Sequence, residues 1–261
     1  LTRYRDDTRL YLNGSLQFSS RDEYRYHESL VHPAMAAAAN RSRVLVIGGG
    51  DGLVLRQVLK YEGVKEATLV DIDPAVTKLA REHIVLKRLN EGSLDDKRVK
   101  VVNTDAYSFL ERSSDLYSVI IIDLPDPQRE ALTKLYSVAF YRIVERHLAK
   151  GGVAVTQATS PLFARRAYWC VETTARAAGF RTLPYHVYVP SFGDWGFVLF
   201  AKHSVDPKTL PVKVKTRFLR PGTLGDLARF PADQARVKVE PNTLDRPIIL
   251  NYYEEGWKTW F

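Results

Sequence analysis

Val44-Leu-Val-Ile-Gly-Gly-Gly-Asp-Gly52 decides the fold. Four apolar, mostly β-branched residues run into a glycine cluster, and the amphipathic segment Leu53–Tyr61 follows. That order reads as a buried strand, a tight turn and a helix, the opening unit of a nucleotide-binding α/β sheet. The turn lets the backbone approach a ligand, which makes Gly48 and Gly50 candidates for contact with a nucleoside. Asp51 places a negative charge in the same turn. A phosphate would be repelled there, so the dinucleotide reading fails and a ligand carrying a cationic amine is favoured.

Working outward, strand and helix signals alternate. Strands are expected at 43–47, 67–71, 98–102, 117–122 and 152–157, and helices at 53–61, 74–89, 133–148 and 162–178. This alternation predicts an α/β fold with a mostly parallel sheet and helices on both faces. Strands near 181–188 and 195–202 would add an antiparallel edge hairpin. Upstream, Arg9–Leu12 and Ser15–Phe18 flank Asn13-Gly14, a two-residue hairpin signal, and Asp22–Ala39 reads as a helix with Tyr26, Leu30 and Ala34 on one face. Beyond Pro207, recurrent prolines leave short helices at best. The expected division is a hairpin and linking helix (1–32), a catalytic α/β domain (33–205) and an irregular extension (206–261).

The chain has 261 residues, 45% apolar and 26% charged, enough for a sizeable core. Its net charge of +8 is spread over scattered Lys and Arg with no nucleic-acid motif, so no nucleic-acid partner is expected. Cys170 is the sole cysteine, and no signal peptide or transmembrane run is present; a reducing, cytoplasmic setting is expected. The chain opens at Leu1 rather than Met, and we read it as part of something longer. His27 and His32 stand five apart, on different faces of a helix, so no metal site is expected. Tyr252, Tyr253, Trp257, Trp260 and Phe261 read as a tail packing on the core or on a partner, rather than as a cofactor platform.

Ligands of such sheets bind beyond the carboxyl ends of the strands. Here those ends carry Asp51, Asp71, Asp105 and Asp123. Asp73 before Pro74 reads as a helix cap, whereas Asp71, ending the second strand, suits bidentate hydrogen bonding to ribose hydroxyls. In Asp123-Leu-Pro-Asp126-Pro127 the first acid ends an all-apolar strand, where desolvation raises its proton affinity. The second sits in a turn stiffened by prolines and can face the same space. Such a pair can hold a diammonium ligand and accept a proton from an attacking nitrogen.

Leu12-Asn-Gly-Ser-Leu-Gln17, Arg21-Asp-Glu-Tyr-Arg-Tyr-His-Glu28, Gly48-Gly-Gly-Asp-Gly52, Val70-Asp-Ile-Asp73, Asp123-Leu-Pro-Asp-Pro127 and Gly151-Gly-Val-Ala-Val-Thr-Gln157 together resemble the spermidine synthase family of polyamine aminopropyltransferases, over residues 9–202. The Leu-Pro-Asp-Pro variant and the long tail look most like the branch whose members carry an upstream membrane region. The resemblance implies a Rossmann-like, methyltransferase-type fold. It implies transfer of an aminopropyl group from decarboxylated S-adenosylmethionine, a co-substrate, to putrescine or a related amine, releasing methylthioadenosine. The sulfonium already activates the carbon under attack, so no metal or bound redox cofactor is required. By the same resemblance Asp123 is the general base and Asp126 clamps the acceptor. Asp51, with His27 nearby, binds the aminopropyl amine, and Tyr26 and Tyr188 line the acceptor groove. Asp71 holds the ribose, Asp105 and Ala106 contact adenine, and Gln17 and Gln157 are lesser candidates. A homodimer, and a tether at the cytoplasmic face of the membrane through a region outside this chain, are further implications.

Three features depart from the family pattern, the first being that the family's donor-contacting Gln on an earlier strand has no counterpart in this sequence. Gln128-Arg-Glu130 replaces the usual Gly-Pro, and Asp71 stands where Glu is commoner. The alternatives are a methyltransferase using intact S-adenosylmethionine, whose carboxylate would meet Asp51, and a non-catalytic polyamine- or nucleoside-binding module.

Overall fold

The computed structural model describes residues 1–260. Three strands open the chain, β1 (Thr2–Tyr4), β2 (Asp7–Leu12) and β3 (Ser15–Ser19), paired antiparallel in that order. Asn13 and Gly14 both take positive φ, 51° and 83°, as a tight two-residue hairpin turn demands. The sequence reading missed β1, which is exposed along its length and so shows no apolar alternation. Helix α1 (Glu23–Ala37) follows, runs across residue 32 and is buried over most of its surface.

The α/β unit then reads β4 (Arg43–Gly48), α2 (Leu53–Val58), β5 (Glu66–Asp71), α3 (Pro74–Glu82), α4 (Ile84–Leu89), β6 (Val99–Asn103), α5 (Ala106–Arg112) and β7 (Tyr117–Asp123). It continues through α6 (Glu130–Thr133), α7 (Val138–Arg146), β8 (Leu148–Gln157), α8 (Arg165–Ala177), β9 (Arg181–Val189) and β10 (Gly193–Ala201). The sheet order is β6-β5-β4-β7-β8-β10-β9, parallel from β6 to β8, with β10 and β9 antiparallel at one side. This is the expected Rossmann-like architecture. Along β4, Leu45 and Ile47 pack in one core with residues of α5, α7 and α8, while Val44 and Val46 pack in a second core with residues of α1 and α2. Alternation on a strand buried on both faces thus feeds two helical layers. From β4 the chain runs outward to β5 and β6, then crosses back by α5 to place β7 on the other side of β4, and the crevice for a ligand opens at that reversal.

Three helical expectations change. His83 takes an extended conformation and splits the expected 74–89 helix into α3 and α4, with no glycine or proline to mark the break. The expected 133–148 helix reduces to α7, because the Ser137 hydroxyl caps it, accepting from the Phe140 N–H at 3.2 Å. Helix α5 was not expected: with only Ala106 and Leu110 buried it is too short to show a period. In the extension, α9 (Thr223–Leu227) is brief, but α10 (Ile248–Lys258) runs for 11 residues and packs on α8. Fully buried Asn242 pins this segment: its amide donates to Thr133 O at 2.9 Å and its Oδ1 accepts from Ile249 N–H at 3.3 Å. Among the described residues, no helix is long and apolar enough to cross a membrane.

Candidate active site

Beyond the carboxyl ends of β4, β5 and β7 lies a cleft of about 820 Å³. Gly48 sits in register with Asp123, and the glycine turn threads so closely between its neighbours that side chains are excluded. A Cβ on Gly48, whose φ is +76°, would fall 2.0 Å from the Asp123 carbonyl oxygen; one on Gly50 would fall 2.6 Å from Asp71 Oδ2. On this glycine-loop side the acids are held by backbone. Asp71 accepts from the Gly50 N–H at 2.9 Å and the Asp73 N–H at 2.8 Å. Burial pushes its carboxyl up, and those two amides moderate the rise. Asp51 Oδ1 accepts from the Leu53 N–H at 2.9 Å, and burial raises its proton affinity as well. Asp105 caps α5, accepting from the Ser108 N–H at 2.9 Å, and pairs with Lys134 Nζ at 3.0 Å. Burial opposes its ionisation, but the Ser108 and Lys134 donors together hold it below the usual carboxylate range.

A buried relay supports the cleft from beneath. His27 Nδ1 lies 2.8 Å from Glu23 Oε2, and Arg56 donates to both Glu23 oxygens at 2.9 and 2.7 Å. Burial raises the Glu23 carboxyl, but His27 and Arg56 overcome it and bring it down to about 2. Burial likewise disfavours the His27 cation, yet Glu23 first, then the charges of Asp51 and Asp123, hold its pKa above the ordinary value. The histidine thus holds a proton more readily than an ordinary imidazole, and the charges of Asp51 and Asp123 contribute to this.

On the opposite, aromatic side the acids are held by side chains from distant elements. Asp123 Oδ1 accepts from the Tyr26 hydroxyl at 2.5 Å. Burial pushes the Asp123 carboxyl up, with His27 and Tyr26 opposing. Asp126 accepts from the Thr159 hydroxyl at 2.9 Å and the Gln157 amide at 3.2 Å, and the Tyr253 hydroxyl joins them in favouring its charged form. Burial nonetheless raises it to about 6. Gln157 also donates to Leu124 O and to the Tyr136 hydroxyl, both at 2.7 Å, which locks the proline-bracketed turn. Thr159 has φ +58°, a left-handed strain held by its own N–H to Gln157 Oε1 at 2.9 Å and by Gly196 N–H to its carbonyl at 2.7 Å. Phe192 and Trp195, with ring centroids 5.1 Å apart, and Phe163 and Trp257, 5.2 Å apart, complete this wall.

With this geometry in hand, the comparisons with known proteins are decisive. Residues 23–209 match the family described as the spermine/spermidine synthase domain. The chain belongs to that family. It is 52% identical to polyamine aminopropyltransferase 2 of Ralstonia nicotianae over 98% of this chain and 51% of that protein. It is 50% identical to the polyamine aminopropyltransferase of Leptospira interrogans over 98% of this chain and 51% of that protein. The chain spans about half the length of these curated relatives. Among solved structures, spermidine synthase from Thermotoga maritima superposes with a TM-score of 0.77 at 27% identity, covering 85% of this chain and 77% of that one. A spermidine synthase in complex with the transition-state analogue AdoDATO gives 0.78 at 27% identity, covering 85% and 78%.

Within this synthase-family frame, Gly48, Gly50, Asp51, Asp71, Asp105 and Ala106 all border the one cleft, as do Tyr26, His27, Asp123 and Asp126. Gln17, from the N-terminal hairpin, and Gln157 border it too. Tyr188 does not: its side chain is 60% exposed, because β9 alternates and buries Val187 and Val189 instead. Strand period alone could have corrected that expectation. Asp73 caps α3 through Ala75 N–H at 2.8 Å, as read. The sequence reading missed Thr159, Phe192 and Trp195, and also Asn90, whose buried amide donates to Asp51 O at 2.9 Å. It also took the aromatic tail as packing alone. Tyr252 does pack in the core, but Tyr253 and Trp257 border the cleft; Phe261 lies outside the described residues.

Proposed function

We propose that this chain catalyses aminopropyl transfer from decarboxylated S-adenosylmethionine to putrescine or a related amine, giving a spermidine-type polyamine and methylthioadenosine. The observation that carries the reading is the gathering of Asp51, Asp71, Asp123 and Asp126 on one cleft at the strand ends, in a chain of this family. The relatives are named polyamine aminopropyltransferases and the analogue-bound neighbour is a spermidine synthase, which supports the same reading.

In this reading Asp71 takes the ribose hydroxyls, Gly48 and Gly50 let the nucleoside approach, and Asp105 and Ala106 meet the adenine. Asp51, with His27 nearby, takes the amine of the aminopropyl arm. Asp126 clamps the remote ammonium of the acceptor, with Tyr26 on the groove wall. Aliphatic amines are mostly protonated near neutrality. The near ammonium passes a proton to Asp123, whose burial has raised its proton affinity. The freed nitrogen lone pair attacks the carbon next to sulfur. A C–N bond forms, the C–S bond breaks with its electron pair going to sulfur, and the sulfonium becomes the neutral thioether of methylthioadenosine. The protein's task is alignment and deprotonation, which is where proximity contributes most. Asp51 also selects the donor, since the carboxylate of intact S-adenosylmethionine would meet a like charge.

The division into hairpin, catalytic core and extension at residues 32 and 205 belongs to this proposal. So do a homodimer and a tether at the cytoplasmic membrane face. The test is direct: protein incubated with decarboxylated S-adenosylmethionine and putrescine releases methylthioadenosine. Tighter calorimetric binding of intact than of decarboxylated donor would favour the methyltransferase reading. Ligand-induced thermal stabilisation without product from any amine would favour the binding module.

A further inference from the structure

We propose that a basic groove at the amino ends of the strands, at the opposite end of the sheet from the acidic cleft, binds an anion carrying several phosphate groups. The groove encloses about 1020 Å³. It lies between the residues that lead into β4, those that lead into β5, and the stretch 213–217 of the extension. Arg41, Lys60, Lys213, Lys215 and Arg217 line it, against Glu62 and Glu91. Among the described residues none of these five cations pairs with a carboxylate, whereas surface pairs form elsewhere, as at Lys87–Asp95 and Arg98–Asp96. The cleft sorts for cations by its acids; the groove has the reverse charge.

The cations are held in place by groups that leave their charges free. From residue 213 to 218 exposure alternates: Lys213, Lys215 and Arg217 face solvent, while Val214 and Phe218 pack against the core. In an extended stretch that alternation sets successive cations about 7 Å apart on one face. Glu28, buried on α1, fixes the stretch through its backbone, accepting from the N–H of Arg217 at 2.7 Å, Phe218 at 2.8 Å and Leu219 at 3.1 Å. From the facing wall Lys60 Nζ donates to Lys215 O at 3.2 Å, and Arg41 donates to Met35 O. Burial lowers the Lys60 pKa, and only the charges of acids outside ion-pair distance, Glu28 and Glu91 among them, oppose it. Spaced ammonium and guanidinium groups facing one hollow suit an anion with several charges, and phosphate oxygens accept from both. A nucleic-acid strand is less well served. Tyr61 is buried and the Arg217 guanidinium covers Tyr24 at 3.8 Å, so neither ring is free to stack on a base.

Calorimetry with inorganic tripolyphosphate tests the groove, and sedimentation with phosphatidylglycerol vesicles tests whether the phosphates come from lipid headgroups. Wild type should bind tripolyphosphate, more weakly as salt rises from about 50 to about 200 mM. Lys213→Ala combined with Lys215→Ala removes two exposed side chains and leaves the Glu28 contacts intact. It should weaken binding by about ten- to a hundredfold. Lys60→Met should weaken it by less, and the exposed pair Lys78→Ala with Lys97→Ala, away from the groove, should leave it within about twofold. Vesicle binding lost in the 213/215 variant, with tripolyphosphate unable to compete, would keep the site and make a lipid headgroup its ligand. No binding of either probe, equal losses in the groove and control pairs, or tighter binding of an oligouridylate than of tripolyphosphate would overturn the proposal.

Discussion

The two sides of the cleft hold the same residue type by different means. On the glycine-loop side, Asp71 is oriented by the backbone amides of Gly50 and Asp73, and Asp105 by the Ser108 amide and Lys134. On the aromatic side, Asp123 and Asp126 depend on hydroxyls and an amide delivered by α1, the end of β8 and the segment after it. Local amides orient a carboxylate for hydrogen bonding to a neutral partner such as a ribose diol. Distant hydroxyls in an apolar wall leave Asp123 and Asp126 costly to ionise, so that each gains from an incoming ammonium and can take a proton.

The widest separation between the sides should come from Asp123→Asn. If Asp123 is the base, kcat falls roughly 10²–10⁴-fold while methylthioadenosine binding is retained. Asp71→Asn should act the other way round, weakening nucleoside affinity with a smaller change in kcat. Rapid-quench measurement of methylthioadenosine release, set beside calorimetry of the product, reads both. Equal effects of the two substitutions on binding and turnover would erase the distinction.

A step down in size, the glycine-loop side can be perturbed without touching an acid. In Gly50→Ala the new Cβ falls 2.6 Å from Asp71 Oδ2, and the loop must shift. The expected cost is about 1–3 kcal/mol, divided between thermal stability and nucleoside affinity. Amine discrimination should stay as it was, which competition between two diamines measures.

The pH response sharpens the same contrast. Asp126 has a folded-state pKa of about 6 against an ordinary 3.8, so the folded protein binds its proton more tightly than the unfolded chain. The stability linked to this group is fully present below about 3.8 and is lost as pH rises through about 6, by at most about 3 kcal/mol because the cleft admits water. Asp105, held low, has the opposite sign: its contribution is present above the ordinary carboxylate pKa and lost on acidification. Relative to wild type, Asp126→Asn should therefore gain stability as pH rises from about 4 to about 7, whereas the matching loss for Asp105→Asn falls below about pH 4, with little change above it. Denaturant melts across the two pH ranges read the difference, and parallel curves for both variants would refute it.

The contrast also explains what was legible beforehand. The glycine-loop side is written in contiguous residues: apolar run, glycine turn, an acid ending the next strand. Local chemistry fixes it, so the sheet, the crevice, Asp51 and Asp71 could be placed from sequence, as could Asp123 across the cleft because it ends an apolar strand. The aromatic side joins Tyr26, Thr159 and Tyr253, which are far apart in the chain. No spacing rule links them, and Thr159 carries a left-handed strain that only the packed loop reveals. Helix α5 stayed hidden for a related reason, having two buried positions and no repeat. The α10 aromatics were visible as a cluster, but their destination depends on Gly256 meeting the backbone of a distant loop.

The smallest effect tests the one site residue that the fold turned away. Tyr188 was assigned to the amine groove, yet β9 directs it to solvent while Val187 and Val189 face inward. Its backbone carbonyl, not its ring, makes the contact there, accepting from Arg25 Nε at 2.6 Å. Tyr188→Ala keeps that carbonyl and so should change stability by no more than about 0.5 kcal/mol. Acceptor KM and kcat should stay within about twofold of wild type, the range left to an exposed side chain with no buried partner. Tyr26→Phe is the matched control. It removes the donor to Asp123 at 2.5 Å, should cost about 1–2 kcal/mol in transition-state stabilisation, and should move the acidic limb of the pH–rate profile upward, since the carboxylate loses a hydrogen bond that favours its charged form. If Tyr188→Ala instead raised the acceptor KM as strongly as Tyr26→Phe lowers kcat/KM, β9 would have to swing its outward face over the cleft when amine binds. The aromatic wall would then extend beyond the ligand-free geometry.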